Sequence, residues 1–179
     1  SQCLQGSIVI HENKNNLMEE AFRMLRTNLL FLLEGNQKVV LITSSRPGEG
    51  KSFVSGNLAV SLAYLGKKVV IVGLDIRKSG LNKVFGINSH LPGITDYLSQ
   101  PEEHSLTDLI LPSGISPNLD ILPRGSIPPN PTELIARPAL EKAIGELKKQ
   151  YDLILLDTAP VAMVTDTSLI SRVANIGIY

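Results

Sequence analysis

Short runs of aliphatic residues recur along the chain, and each run is bounded by Gly, Pro or polar residues. The strongest runs predict strands at residues 39–42, 69–75 and 153–160, and weaker runs predict strands at 118–123 and 176–179. A strand that is apolar on both sides is typical of a parallel sheet, because helices cover both faces of such a sheet. The runs therefore predict buried parallel strands.

Amphipathic segments alternate with these runs. From residue 15 to Gly35, apolar residues recur at three- and four-residue spacing, as in a helix with one buried stripe. The stripe consists of Met18, Phe22, Leu25, Leu29 and Leu32 or Leu33. The other predicted helices cover residues 53–63, 93–98 and 139–150, and two more are predicted to start at Pro131 and at Thr165. Alternating strands and helices predict an α/β fold, with a doubly wound, mostly parallel sheet and helices on both faces.

A phosphate-binding loop is predicted between the first strand and the helix that follows it. Gly48 and Gly50 let the backbone curl, and Lys51 and Ser52 stand at the start of the helix. Backbone N–H groups attract phosphate oxygens, Lys51 adds a positive charge, and the Ser52 hydroxyl is placed to bind Mg²⁺. The first glycine of the usual G-x-x-x-x-G-K-[ST] pattern is Ser45 here. An ordinary turn capped by serine is the alternative, and it does not explain a lysine beside a helix N-terminus.

Two aspartates end the second and third predicted strands. The carboxyl ends of parallel strands form the edge at which open sheets bind ligands. Asp75 is therefore a candidate to bind Mg²⁺ or to accept a proton from an attacking hydroxyl, with a helix or turn cap as the alternative. Asp157 is predicted to hold Mg²⁺, because its strand should end beside the phosphate loop. Arg77 follows Asp75 closely and places a basic residue at the same edge.

Composition narrows the classes of function. Seventeen basic and seventeen acidic residues cancel, so no global field favours nucleic acid as a partner. Cys3 is the only cysteine, which excludes a disulfide within the chain and a multi-cysteine metal cluster. No apolar run approaches the roughly 20 residues of a membrane helix, and a cytoplasmic protein is expected. The length suits one domain, predicted over residues 15–179 after an N-terminal extension at 1–14.

Charged residues line one side of the first predicted helix. Glu20, Arg23 and Arg26 recur at every third position, away from the apolar stripe. Spacing alone favours a solvated charged face. A surface that forms ion pairs with a neighbouring subunit is the alternative.

Together, the motifs resemble the cytoplasmic domain of bacterial tyrosine kinases, the autophosphorylating enzymes of capsule and exopolysaccharide synthesis and export. The resemblance lies in residues 45–52, 75–78 and 156–160, and above all in the proline-rich segment 128–134. It implies a P-loop NTPase-like fold, ATP and Mg²⁺ as cofactors, and an E-x-x-R-x-x-R helix that joins subunits into a ring. The residues that match this helix are Glu20, Arg23 and Arg26, so the resemblance favours an oligomer interface there.

The resemblance also implies a role for each matching residue. The catalytic residues would be Lys51, Asp75 and Asp157, and the metal ligands would be Ser52, Asp75 and Asp157. The nucleotide-binding residues would be Pro47, Gly48, Glu49, Gly50, Lys51, Ser52, Phe53 and Arg77. A membrane-embedded polysaccharide co-polymerase domain, either fused to the kinase or present as a separate adaptor, would hold it at the inner face of the cell membrane.

Two features depart from the family pattern. Gly73 stands where the second Walker motif usually has another aspartate, and the four tyrosines are scattered rather than clustered in a C-terminal tail. Gly73 keeps open a nucleotide-binding, oligomeric scaffold with weak catalysis. The other alternative is an ATPase switch of the kind that positions division sites or plasmids. Such proteins usually have a lysine where Arg46 stands.

Overall fold

A computed structural model describes residues 8–11, 16–45, 50–78, 80–160 and 165–178 of the chain. The strands in these residues are β1 (Val39–Ile42), β2 (Val69–Leu74), β3 (Leu111–Pro112), β4 (Leu119–Leu122), β5 (Leu153–Thr158) and β6 (Ile176–Ile178). They form one six-stranded sheet in the order β3-β4-β2-β5-β1-β6. Every neighbouring pair is parallel except β3 with β4. The predicted α/β fold with a mostly parallel sheet is confirmed.

The helices in the same residues are α1 (Leu17–Leu32), α2 (Lys51–Tyr64), α3 (Gly80–Phe85), α4 (Ile94–Ser99), α5 (Leu106–Leu109), α6 (Pro131–Ala136), α7 (Pro138–Lys148) and α8 (Thr165–Ile170). A short 3-10 helix, Ser171–Val173, follows α8. The apolar pattern does not predict α3, α5 or β3, which are too short for periodicity to show. Among the described helices, none combines the length and the apolar character that crossing a bilayer requires.

Helices bury both faces of the sheet. Alternate residues of a strand point to opposite faces, so Val70 and Val72 pack with residues of α4, α6 and α7. Val69 and Ile71 point the other way and pack with residues of α1, α2 and α3. Burial on both faces explains why the strands read as continuous apolar runs.

The buried stripe of α1 is narrower than predicted. Phe22 and Leu29 are buried, but Met18 is 45% exposed, so the prediction is wrong at this residue. Of the predicted pair at the other end, Leu32 is 59% exposed and Leu33 packs against the core. Glu19 and Leu33, the neighbours of these exposed residues, face inward instead. One residue step turns a helix by about 100°, so Met18 points away from the direction in which Glu19 is buried. The helix also ends at Leu32 rather than Gly35, because the backbone is already extended at Leu33, with ψ of 126°.

Candidate active site

The carboxyl ends of β1, β2 and β5 meet at one edge of the sheet, where α2 begins. β5 is the middle strand, and Asp157 is aligned with the last residue of β1 on one side and with Gly73 of β2 on the other. Gly50 caps α2 with φ of 75°, a left-handed conformation that suits glycine. Lys51 and Ser52 open α2 and reach the end of β5. The predicted proximity of Asp157 to Lys51 and Ser52, at the end of the predicted phosphate loop, is therefore confirmed.

The carboxylate of Asp157 is the centre of a buried hydrogen-bond network. Its Oδ1 accepts from Lys51 Nζ at 2.5 Å and lies 3.0 Å from Ser55 Oγ. Its Oδ2 accepts from Ser52 Oγ at 3.0 Å. All three partners stand on one side of α2, because a turn of helix takes about 3.6 residues. Since 1% of the Asp157 side chain is exposed, these bonds compensate for the loss of water around its charge.

Asp75 is the second carboxylate near Lys51. Its Oδ2 lies 3.8 Å from Lys51 Nζ, and 9% of its side chain is exposed. Burial raises the pKa of Asp75, the positive charge of Lys51 opposes this rise, and the negative charge of Asp157 adds to it. The carboxylate also accepts a hydrogen bond from the backbone N–H of Lys78. Asp75 therefore caps the turn after β2, as the alternative interpretation predicted, and also contacts Lys51.

A cavity of about 220 Å³ opens beside these side chains. The predicted site residues in its wall are Gly50, Lys51, Ser52, Phe53, Asp75 and Arg77. The ring of Phe53 packs edge-to-face against Phe22 of α1, with 6.4 Å between the ring centroids. Three further predicted nucleotide-binding residues lie outside the described residues: Pro47, Gly48 and Glu49.

Two residues of this site belong to no motif found in the sequence. Gly80 begins α3 and also lines the cavity, and a β-carbon at this position would collide with Ser52 Oγ. Ser55 contacts Asp157 from inside α2. The spacing of four residues between Lys51 and Ser55 is a signal that could have placed Ser55 on the same helix face. Gly80 carries no such signal, because its role depends on how α3 packs against α2.

The space beside Gly73 is filled by the loop that follows β4. A β-carbon at Gly73 would lie 2.9 Å from the backbone nitrogen of Arg124. Asp96 of α4 holds this loop in place: its Oδ2 accepts from the Gly93 N–H at 2.8 Å, and its Oδ1 accepts from Ser126 Oγ at 2.9 Å. An aspartate at position 73 would therefore require the loop to move.

The predicted interface residues lie on α1, and none of them lines the cavity. Glu20 and Arg23 form an ion pair within the helix, and their side chains are 50% and 43% exposed. Arg26 instead turns toward α2, where its Nη1 donates to the carbonyl and hydroxyl oxygens of Ser61, both at 3.1 Å. Burial and the nearby charge of Arg23 lower the pKa of Arg26. A role of this face in assembly stays a prediction.

The oxygen atoms at the sheet edge suit a small, hard cation. The carboxylates of Asp157 and Asp75 both lie near Lys51 Nζ. The Ser52 hydroxyl lies beside the carboxylate of Asp157. Mg²⁺ prefers oxygen ligands and is commonly held by one or two carboxylates together with substrate phosphates. The residues present therefore fit Mg²⁺ bound with a nucleotide.

Comparisons with known proteins agree with this geometry. Residues 37–175 match the family model described as an AAA domain. The chain is 38% identical over 157 residues to tyrosine-protein kinase CpsD of Streptococcus agalactiae, a match that spans 88% of this chain and 66% of that protein. Longer relatives, also named tyrosine-protein kinases, are matched over 23% of their length.

Solved structures share the fold. The kinase domain of the Escherichia coli tyrosine kinase ETK matches with a TM-score of 0.82 and 31% identity, over 89% of this chain and 61% of that chain. The septum site-determining protein MinD of Pyrococcus horikoshii, complexed with Mg-ADP, matches with a TM-score of 0.63 and 25% identity, over 79% and 56% of the two chains. Both the TM-score and the sequence identity are higher for the kinase domain than for MinD.

Proposed function

Because the chain belongs to the AAA-domain family, and within it to the bacterial tyrosine-protein kinases, we propose that it is an ATP-dependent protein-tyrosine kinase. It transfers the γ-phosphoryl group of Mg-ATP to tyrosine, and its autophosphorylation regulates capsular or exopolysaccharide synthesis and export. The observation that carries this proposal is the position of Lys51 between Asp157 and Asp75, at 2.5 and 3.8 Å. Lys51 and Asp75 line the cavity, and Asp157 lies behind Lys51.

Lys51 supplies positive charge to the transferred phosphoryl group. Its ammonium is held by Asp157 at the start of α2, the end of a helix that attracts phosphate. Phosphate oxygens bound there compete with Asp157 for the lysine. Phosphoryl transfer depends mainly on positioning and charge neutralisation, which a lysine and a helix N-terminus provide. Gly50, Phe53 and Arg77 also line this cavity and would contact the nucleotide.

Ser52, Asp157 and Asp75 would hold Mg²⁺ through their oxygen atoms. The ion, when bound, neutralises phosphate charge and helps to orient the phosphates for in-line displacement. The match to a MinD structure that contains Mg-ADP supports a magnesium nucleotide in this fold. The Ser52 hydroxyl and Asp157 Oδ2 lie 3.0 Å apart beside the start of α2, and both could bind the ion.

Asp75 accepts the proton of the incoming tyrosine hydroxyl. As the hydroxyl oxygen bonds to the γ-phosphorus, the bond from this phosphorus to the bridging oxygen breaks, ADP leaves, and the proton passes to the carboxylate. Burial raises the pKa of Asp75 and makes it a stronger proton acceptor than an exposed aspartate. Its contact with Lys51 keeps it at the reacting end of the cavity.

Assembly into a ring through α1 is part of the proposal. Glu20 and Arg23 are half exposed, and the apolar side chains of Leu17, Met24 and Phe31 are exposed at 89%, 67% and 86%. Exposed apolar groups beside charged residues are typical of protein contact surfaces. A ring would bring the tyrosines of one subunit to the site of its neighbour. A fused co-polymerase domain or an adaptor would hold the ring at the inner face of the membrane.

An ATPase switch is the second candidate function. The similarity to MinD, with a TM-score of 0.63, favours it. A switch hydrolyses ATP to change its assembly state and forms no phosphotyrosine, so the product of the reaction separates the two candidates.

Phosphotyrosine mapping by mass spectrometry tests the proposal, with the full-length protein incubated with ATP and Mg²⁺. We expect phosphate on tyrosine, and a loss of roughly 100- to 1,000-fold in rate for Lys51→Met, because the substitution removes a preorganised charge. Lys142→Met, on the exposed side of α7, is the matched control and should keep its activity. ATP hydrolysis without phosphotyrosine would instead support the switch. Nucleotide binding without turnover would support a scaffold.

A further inference from the structure

Ser55 stands between two acceptors that it cannot serve at the same time. Its side chain is fully buried in α2, and its Oγ lies 2.8 Å from the carbonyl oxygen of Lys51 and 3.0 Å from Asp157 Oδ1. A serine hydroxyl has one proton to donate. The bond to the carbonyl four residues back is common for serine within helices, and a small rotation of the hydroxyl redirects the proton to Asp157.

Lys51 already occupies the same oxygen of Asp157. The ammonium is 2.5 Å from Oδ1, so in this arrangement Oδ1 has a strong donor without Ser55. The following step rests on the proposed function. When a nucleotide draws Lys51 toward its phosphates, Oδ1 loses that donor, and the Ser52 hydroxyl on Oδ2 turns to the metal. Among the donors that the described residues place around Asp157, Ser55 is then the one that remains.

We propose that Ser55 is a positioning residue for the metal-binding carboxylate. As Lys51 withdraws, the Ser55 hydroxyl turns from the Lys51 carbonyl to Asp157 Oδ1 and fixes the orientation of the carboxylate. Oδ2, the oxygen that faces Ser52 at 3.0 Å, then stays available to the cation. No covalent bond is made or broken, and one hydrogen bond changes its acceptor from the Lys51 carbonyl to Asp157 Oδ1.

The surroundings of Asp157 explain why such a donor is needed. The side chain is 1% exposed, so it depends on protein groups for its hydrogen bonds, and Asp75 adds a second negative charge nearby. Carboxylates that bind metals are themselves hydrogen-bonded, and loss of such a partner typically lowers metal affinity by about 10- to 100-fold. A donor on a packed helix holds its acceptor more firmly than a flexible lysine does.

Magnesium-dependent binding of mant-ADP, a fluorescent ADP analogue, tests this proposal without requiring kinase activity. Wild type and Ser55→Ala are titrated with Mg²⁺ at a fixed nucleotide concentration. We expect Ser55→Ala to need about 10-fold more Mg²⁺ for half-maximal binding. Its binding of mant-ADP in EDTA should match the wild type, which also shows that the variant is folded. Ser61→Ala is the matched control, because Ser61 is a buried serine of α2 that bonds Arg26 instead of the site.

A variant that restores the hydroxyl separates positioning from packing. Ser55→Thr should recover most of the magnesium dependence if the hydroxyl is what matters, although its extra methyl group lowers thermal stability. Equal magnesium requirements in wild type and Ser55→Ala would overturn the proposal, as would nucleotide binding that ignores Mg²⁺ altogether. Absence of phosphotyrosine in the wild type would contradict the kinase function and leave this binding result intact, so the two failures are distinguishable.

Discussion

Two ion pairs of the molecule have the same chemistry and opposite surroundings. Lys51 and Asp157 join α2 to β5 at the sheet edge, with side chains 7% and 1% exposed. Glu20 and Arg23 lie three residues apart on α1, with side chains 50% and 43% exposed. Water and salt screen the exposed pair, whereas the buried pair interacts through a less polarisable interior. The same attraction is therefore much stronger at the sheet edge than on α1.

This difference indicates two uses of charge in one chain. At the sheet edge, a carboxylate and a lysine compensate each other in the absence of ligand, and a phosphate can redirect that attraction to itself. On α1, the pair adds little to stability and stays accessible to another molecule. The free energy of unfolding should thus respond strongly to substitutions near Asp157 and weakly to substitutions on the outer face of α1.

The largest effect is expected for the buried pair in the protein without nucleotide. Lys51→Met and Asp157→Asn should each lower the free energy of unfolding by about 3 kcal/mol, because either change removes the nearest opposite charge from a buried charged group. The double variant should lose no more than either single variant, a coupling of roughly 3 kcal/mol. Urea unfolding of the four proteins measures this cycle.

The exposed pair provides the control for that cycle. Arg23→Met and Glu20→Gln should cost about 0.5 kcal/mol or less, with a coupling near zero. If the losses at Lys51 and Asp157 simply add, the two groups do not stabilise each other, and the contrast between the two pairs fails.

Gly73→Ala tests the crowding of the sheet edge and should have the next largest effect. The new β-carbon would lie 2.9 Å from the backbone nitrogen of Arg124, so the loop after β4 must shift, at a cost of about 2 kcal/mol. Gly145→Ala is the control, because a β-carbon at that position in α7 meets nothing within 4 Å. We expect it to stabilise the protein by up to about 1 kcal/mol. Equal stability of Gly73→Ala and wild type in urea would show that the loop yields freely.

The sequence predicts which residues form the site better than it predicts the contacts and the packing around them. The strand runs and the phosphate-loop pattern are local, so the meeting of Lys51 with Asp157 follows from them once strands β1 and β5 are neighbours. Helical spacing could have placed Ser55 on the same face as Lys51, but the crowding at Gly73 depends on the distance between separate elements, which no local pattern records. Arg26 shows the same limit, because its spacing matches a surface motif while the packing of α1 on α2 turns it inward.

Asp96→Asn tests the loop that crowds Gly73 and should have an intermediate, pH-dependent effect. Burial alone would raise the pKa of Asp96, but hydrogen bonds from the Gly93 N–H and from Ser126 outweigh it and lower the pKa. A lowered pKa stabilises the fold above the unfolded value of about 3.9, and this contribution is lost as the pH falls through the folded pKa.

At pH 7 the loss in Asp96→Asn should be about 1 kcal/mol, because the charge in its hydrogen bonds is removed. The difference from wild type should narrow below about pH 4. Urea unfolding at several pH values measures both expectations. Asp108→Asn, at an exposed position of α5, serves as the control. A difference that stays constant down to low pH would mean that the charge of Asp96 does not hold the loop.

The smallest change in stability and the clearest change in mass are expected on α1. Arg23→Ala removes a half-exposed cation and should cost about 0.5 kcal/mol or less. If α1 joins subunits into a ring, the same substitution should lower the molar mass in light scattering toward that of a monomer, because the ion pair across the interface is lost.

Arg26→Ala is a poorer probe, since Arg26 bonds Ser61 and its removal also loosens α1 from α2. Lys142→Ala, at an exposed position of α7, should leave the mass unchanged. An unchanged mass in Arg23→Ala, with the wild type assembled, would place the interface elsewhere and return Glu20 and Arg23 to a solvated face.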